Sequence, residues 1–145
     1  MRWLSIDHGT KKIGLAFSDE LEILASPFEV WPQEEERTLE RLTRLCKQEG
    51  VQALAVGLPR HKDGAESATA PAARAFGEAL SVSTGLPIRF VNEHLSSAEA
   101  ERLLRERGVK PEKRKAMLDA AAAAVILSEL LEDRRARGIA PPELD

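Results

Sequence analysis

Hydrophobic and polar positions alternate twice in quick succession at the start of this chain. Leu4 and Ile6 alternate with Trp3, Ser5 and Asp7, and Ile13, Leu15 and Phe17 alternate with Gly14, Ala16 and Ser18. A period of two is that of a strand. The polar run Asp7-His8-Gly9-Thr10-Lys11-Lys12 between them is short, so the two strands are expected to form an antiparallel hairpin. A third strand is expected from Leu24 to Trp31, where Phe28 and Val30 alternate, with Pro27 best placed at an edge or an irregularity. From Pro32 the period changes. Pro32 and the acidic run Glu34–Glu36 are expected to open a helix, Leu39, Leu42, Leu45 and Cys46 give its stripe, and Gly50 a stop.

The two periods then take turns. Ala53–Val56 reads as a buried strand stopping at Gly57-Leu58-Pro59, followed by a polar loop from Arg60 to Ser67. A helix with Pro71 near its start carries Ala72, Ala75, Phe76, Ala79 and Leu80, and Gly85 ends it. Ile88 and Phe90 mark a strand ending at Asn92-Glu93-His94. Ser96 and Glu99 have capping-box spacing before Ala100, Leu103 and Leu104, and Gly108 stops that helix. The last helix starts at Pro111 and runs to about Arg134 through Ala120–Ala124. A meander followed by alternating strands and helices predicts an α/β fold. Its mixed five-stranded sheet would hold a three-strand antiparallel meander and two parallel strands, flanked by helices. Residues 1–137 are expected to form one domain and residues 138–145, rich in proline, a flexible tail.

Composition narrows the class. At 145 residues, 43% hydrophobic and 31% charged, the chain suits a single globular domain. Its net charge of −3 gives no global basic field for nucleic acid. The lone Cys46 excludes an internal disulfide and a cysteine-based zinc site. The opening MRWLSID has no apolar leader region, and no apolar run has membrane length, so a cytoplasmic protein is expected.

Candidate chemistry gathers at strand ends, where ligands of parallel sheets bind. Asp7 ends the first strand, where it is either a ligand of a metal or phosphate site or a turn-initiating residue bonded to the backbone of Gly9. Glu93 ends the last strand. Asp119 lies two turns past Pro111 in a run apolar on all sides, where an unpaired carboxylate is costly. Three carboxylates at one sheet end repel unless protons or cations intervene, and Mg²⁺ or Mn²⁺ suits oxygen ligands. There is no GxxxxGK[ST], GxGxxG or GxSxG motif.

Several of these motifs together resemble the YqgF/RuvX family. They are Asp7 to Gly14 (DHGTKKIG), Val56-Gly57-Leu58-Pro59, Lys62-Asp63-Gly64, Asn92 to Ala100 (NEHLSSAEA) and Asp119 with its alanine-rich helix. That family is described as Holliday junction resolvases and as nucleases processing the 5′ end of precursor small-subunit ribosomal RNA. The resemblance implies a ribonuclease-H-like fold and two-metal phosphodiester hydrolysis. Asp7, Glu93 and Asp119 would be catalytic and metal-binding, and the cofactor Mg²⁺ or Mn²⁺. Thr10, Lys11, Lys12, Arg60, Lys62 and His94 would contact the phosphate backbone of precursor rRNA or branched DNA, with ribosomal precursor particles as further partners. The family's usual Asp-Glu-Arg is Asn92-Glu93-His94 here, and its lysine before the helix aspartate has Lys115 as nearest counterpart. The alternatives are a non-catalytic nucleic-acid-binding or ribosome-assembly module with a degenerate acidic site, and a sugar-kinase or actin-like ATPase, which needs two such domains. A junction resolvase works as a homodimer, whereas RNA trimming needs only a monomer.

Overall fold

The computed structural model describes residues 1–60, 63, 65–93 and 97–145. Strands β1 (Trp3–His8), β2 (Lys12–Ser18) and β3 (Ala25–Pro32) form the meander. Helix α1 (Glu36–Gln48), strand β4 (Ala53–Pro59), helix α2 (Ala70–Thr84) and strand β5 (Ile88–Glu93) follow, then helices α3 (Ser97–Glu106) and α4 (Pro111–Ala136). The sheet order is β3-β2-β1-β4-β5, with β1 and β2 antiparallel and β1, β4 and β5 parallel. The expected mixed five-stranded sheet is therefore present.

The alternation in each strand separates two different cores. Leu4, Ile6, Ile13, Leu15, Leu54 and Val56 point to one face and pack with Leu42 and Leu45 of α1 and Ala73 and Leu80 of α2. On the other face the strands offer small residues, Ala16, Ala53 and Ala55 beside Trp3, and these meet Ala123, Ala124, Leu127 and Leu131 of α4. Alanine on both sides lets the helix lie close to the sheet. The buried Ser5 hydroxyl donates to the Ala123 carbonyl at 2.8 Å, which pins α4 in register with β1. Helix α3 leans on α4 through Ala100, Leu104 and Ala121.

Three local expectations change. β4 does not stop at Val56. It continues to Pro59, because β5 supplies partners for Gly57, Leu58 and Pro59 in Val91, Asn92 and Glu93. Pro32 closes β3 rather than opening α1, which begins at Glu36. The stretch after α4, expected as a flexible tail, makes specific contacts. Ile139 is buried, Arg89 forms an ion pair with Asp145 at 2.7 Å, and Arg134 donates to the carbonyls of Glu143 and Leu144. Pro27 lies on the outer strand, at a register shift opposite Gly14 and Ala16, as a proline should.

Candidate active site

Side chains on a strand alternate between faces. Ser5 points to α4, so Asp7, two residues on, points there as well, while Ile6 and His8 point to α1 and α2. The partner of Asp7 across the hairpin is Gly14. A Cβ on Gly14 would overlap the Asp119 carbonyl and come within 2.6 Å of the Ala120 nitrogen. The missing side chain therefore lets α4 descend onto β2 at the turn that carries Asp119. This brings Asp119 beside Asp7. Gly57 plays the matching part on β4, where a Cβ would lie 2.6 Å from Ile126 Cδ1 and 2.8 Å from Glu93 Oε2. Glu93 thus lies over Gly57 on the α4 face, and its carbonyl accepts the Arg60 N–H at 3.0 Å, which fixes the end of β5.

Asp7, Glu93 and Asp119 line one pocket of about 160 Å³ with Ser97, Ala100, Leu118 and Ala122. Its electrostatics are those of crowded carboxyl groups. Burial pushes Asp7 from 3.8 up to about 6, and the charge of Asp119 adds to the effect. Burial, then the charges of Asp7, Glu129 and Glu99, push Glu93 from 4.5 up to about 8. A carboxyl group with a raised pKa binds its proton more tightly in the folded state. Both states are protonated below the ordinary carboxyl pKa. As pH rises toward about 8 the unfolded chain ionises first, so the fold loses stability.

Asp119 differs from the expectation of a buried carboxylate. Its side chain is 36% exposed, and the Lys12 ammonium lies 3.6 Å from Oδ2. The donor set is all oxygen and suits a hard divalent cation. Among the described residues, no three His, Cys, Asp or Glu side chains yet stand close enough together to hold an ion.

The residues expected to grip phosphate are dispersed. Lys12 belongs to the pocket's edge, and Lys11 and Thr10 are exposed in the hairpin turn. Thr10 faces a separate, larger cavity of about 610 Å³ on the α1–α2 side, which also takes His8 and Phe76. There the His8 ring lies 4.9 Å from Phe76, and burial lowers its pKa. Arg60 is not offered freely to a substrate. It pairs with Glu66 at 3.6 Å, and Arg74 holds the same carboxylate at 2.9 Å. Lys62 and His94, like His61, lie outside the described residues. The packing role of Gly14 and Gly57 is not visible in the hydrophobic pattern. The signal was an isolated glycine inside a strand pattern, which marks close backbone approach.

The fold is that of a RuvC-like, ribonuclease-H-type α/β protein. The Thermus thermophilus RuvC structure aligns with a TM-score of 0.62 at 19% identity, covering 97% of this chain and 98% of that one. T. thermophilus RuvC in complex with a Holliday junction substrate aligns at 0.57 and 16%, with the same coverage. The family model RuvX, described as Holliday junction resolvase, matches residues 1–133, so this chain belongs to the RuvX family. Among curated relatives, one from Anaeromyxobacter sp. strain Fw109-5 is 40% identical, covering 94% of this chain and 100% of its own. Another from Symbiobacterium thermophilum is 41% identical, covering 99% and 98%. Both carry the name "Putative pre-16S rRNA nuclease".

Proposed function

We propose that this chain is a metal-dependent endonuclease that hydrolyses phosphodiester bonds in structured nucleic acid, either in 5′ processing of precursor 16S rRNA or in resolving branched DNA. One observation carries the reading: in a RuvX-family chain, carboxylates from β1, β5 and α4 line a single pocket at the carboxyl end of the parallel strands. Asp7, Glu93 and Asp119 would hold Mg²⁺ or Mn²⁺, in a two-ion arrangement. When bound, such ions lower the pKa of a water and stabilise the leaving oxygen of the phosphodiester.

The chain's own residues prepare the site. Asp7 is held by its pairing with Gly14 of β2, one residue past the point where Ile6 pairs with Val56 of β4. Glu93 is held by the Arg60 N–H. Burial first, and the neighbouring carboxylates second, raise the pKa values of Asp7 and Glu93, so the pocket disfavours accumulating negative charge. A divalent cation relieves that repulsion. Lys12 balances Asp119 across 3.6 Å and, being 61% exposed, is free to turn to a phosphate oxygen once Asp119 has another partner. Thr10 and Lys11 in the same turn, with Lys62 and His94, extend the phosphate contacts. Ribosomal precursor particles fit as partners, and no described helix is long and apolar enough to cross a membrane.

The Lys12–Asp119 pair also favours a second reading, in which the ammonium permanently replaces the cation and the chain only binds nucleic acid. Cleavage separates the two. Purified protein is offered a synthetic four-way junction and a precursor rRNA fragment side by side, with Mg²⁺ or Mn²⁺. The expected result is cutting of one substrate, stopped by chelator. Binding without cutting of either, in both metals, refutes the nuclease reading.

A further inference from the structure

The whole-chain charge of −3 conceals a strong local asymmetry. Residues 102–115 contain seven basic side chains and two acidic ones, a net +5 in fourteen residues, so the remainder of the chain carries −8. This segment is the end of α3, the connection 107–110 and the start of α4. It forms a helical hairpin that leads directly away from the acidic pocket. Ser97 at the start of α3 and Asp119 on α4 both line that pocket, and the tip of the hairpin lies at the far end of both helices.

The basic residues divide into two groups. Arg107 donates to the Ala25 carbonyl at 2.8 Å and Arg114 to the Val109 carbonyl at 2.9 Å. These two fasten the hairpin to β3 and close its turn. Arg105, Lys110 and Lys113 are exposed, and among the described residues they form no ion pair. Arg102 is exposed beside them and, among the described residues, forms an ion pair with Glu106 at 3.8 Å. A hairpin braced by two arginines while others stand free in solvent is a prearranged cationic surface. Unpaired like charges at close quarters cost stability, so a partner of opposite sign is the natural complement.

We infer that the α3–α4 hairpin is a second nucleic-acid contact surface, which holds the phosphodiester backbone several nucleotides from the scissile bond. The inference rests on the nuclease reading for the identity of its partner. Spacing supports that partner. With about 1.5 Å of rise per helical residue, Lys113 lies about 9 Å and Lys110 about 14 Å along the axis from Asp119. Phosphates on one strand follow one another at about 3.4 Å along a duplex axis. The hairpin therefore reaches phosphates roughly three to four steps from the one at the acidic pocket. Such contacts fix position and orientation without reading bases, which suits substrates recognised by shape.

The test is fluorescence anisotropy with a labelled four-way junction and a labelled precursor rRNA fragment, in EDTA, from about 50 to 200 mM salt. The triple variant Arg105→Gln, Lys110→Gln, Lys113→Gln keeps side-chain length and helix propensity while removing three charges. A control, Arg44→Gln with Lys47→Gln, removes exposed charge from α1 on the opposite face of the sheet. The expected result is a tenfold or greater loss of affinity at about 100 mM salt for the hairpin variant, with the log–log salt slope reduced by about 2 to 3. The control should move neither by more than about half as much. Unchanged melting temperatures show that the variants fold. Wild-type-like affinity and slope in the hairpin variant overturn the inference while the nuclease reading stands. A wild-type protein that binds neither probe overturns the nuclease reading itself, and the inference with it.

Discussion

Replacing Gly14 by alanine tests how the site is assembled. Gly14 does not have a positive φ, so alanine is compatible with its backbone. On an open strand the change would stabilise the fold by about 0.4–1 kcal/mol, through the unfolded chain. The structure predicts the opposite sign. The new methyl group overlaps the Asp119 carbonyl and stands 2.6 Å from the Ala120 nitrogen. Both are backbone atoms of a helix, so no rotamer change relieves the clash. Ordinary contact needs about 3.5 Å, so α4 must retreat by about 1 Å or more along its alanine-rich seam. Overpacking of this kind costs about 1–3 kcal/mol, and here the upper part of that range is expected. Asp119 moves with the helix. Misplacement by about 1 Å costs on the order of 100-fold in rate. Urea denaturation gives the stability change and a single-turnover cleavage assay gives the rate. A Gly14→Ala protein at least as stable and as active as wild type would mean that α4 does not touch β2 at this point, and the derivation of the pocket would fail.

Other outcomes follow from the same geometry. Metal-free protein should lose on the order of 5 kcal/mol of stability between about pH 5 and pH 8.5, because Asp7 and Glu93 ionise later in the folded state than in the unfolded chain. Saturating Mg²⁺ should restore most of it at pH 8.5, and a flat metal-free profile by calorimetry refutes the crowding. Arg134 and Glu22 form a buried pair at 2.5 and 3.0 Å that ties the loop after β2 to the end of α4. Arg134→Ala should cost about 3 kcal/mol by leaving the buried Glu22 with the Met1 ammonium, 3.2 Å away, as its remaining cation, whereas a loss under 1 kcal/mol by urea denaturation would make the pair incidental. Asn92 is exposed and faces away from Glu93, so Asn92→Ala should leave the cleavage rate near wild type while Glu93→Gln abolishes it. Equal loss in both variants would mean that the register of β5 is shifted by one.

The legible part of the fold was the part encoded locally. Period-two alternation in β1 and β2 and the helical stripes of α1 and α4 depend on neighbours in sequence, and each element is present. The end of β4 is hidden because Gly57-Leu58-Pro59 looks like a breaker in isolation. Its strand conformation comes from pairing with β5, about 34 residues away, and its glycine serves packing rather than a turn. The carboxylates were legible as a set because aspartate and glutamate at strand ends and inside an apolar helix are each out of place. What the sequence left unseen was how they meet. That depends on two absent side chains, at Gly14 and Gly57, and an absence has no hydrophobic signal. The Arg134–Glu22 pair spans 112 positions and was out of reach for the same reason. The basic hairpin was present in the sequence but vanished into the net charge, since a sum over the whole chain averages away the asymmetry that a partner would feel.

The central claim is that Asp7, Glu93 and Asp119 act together through divalent cations on a phosphodiester bond. It is tested most directly by cleavage of the preferred substrate in Mn²⁺ by wild type and by Asp7→Asn, each shown by its melting curve to be folded. The wild type should cut and fall silent in excess EDTA, while Asp7→Asn should bind the substrate but cut at no detectable rate. Full cleavage by Asp7→Asn, or by wild type in EDTA, contradicts the account.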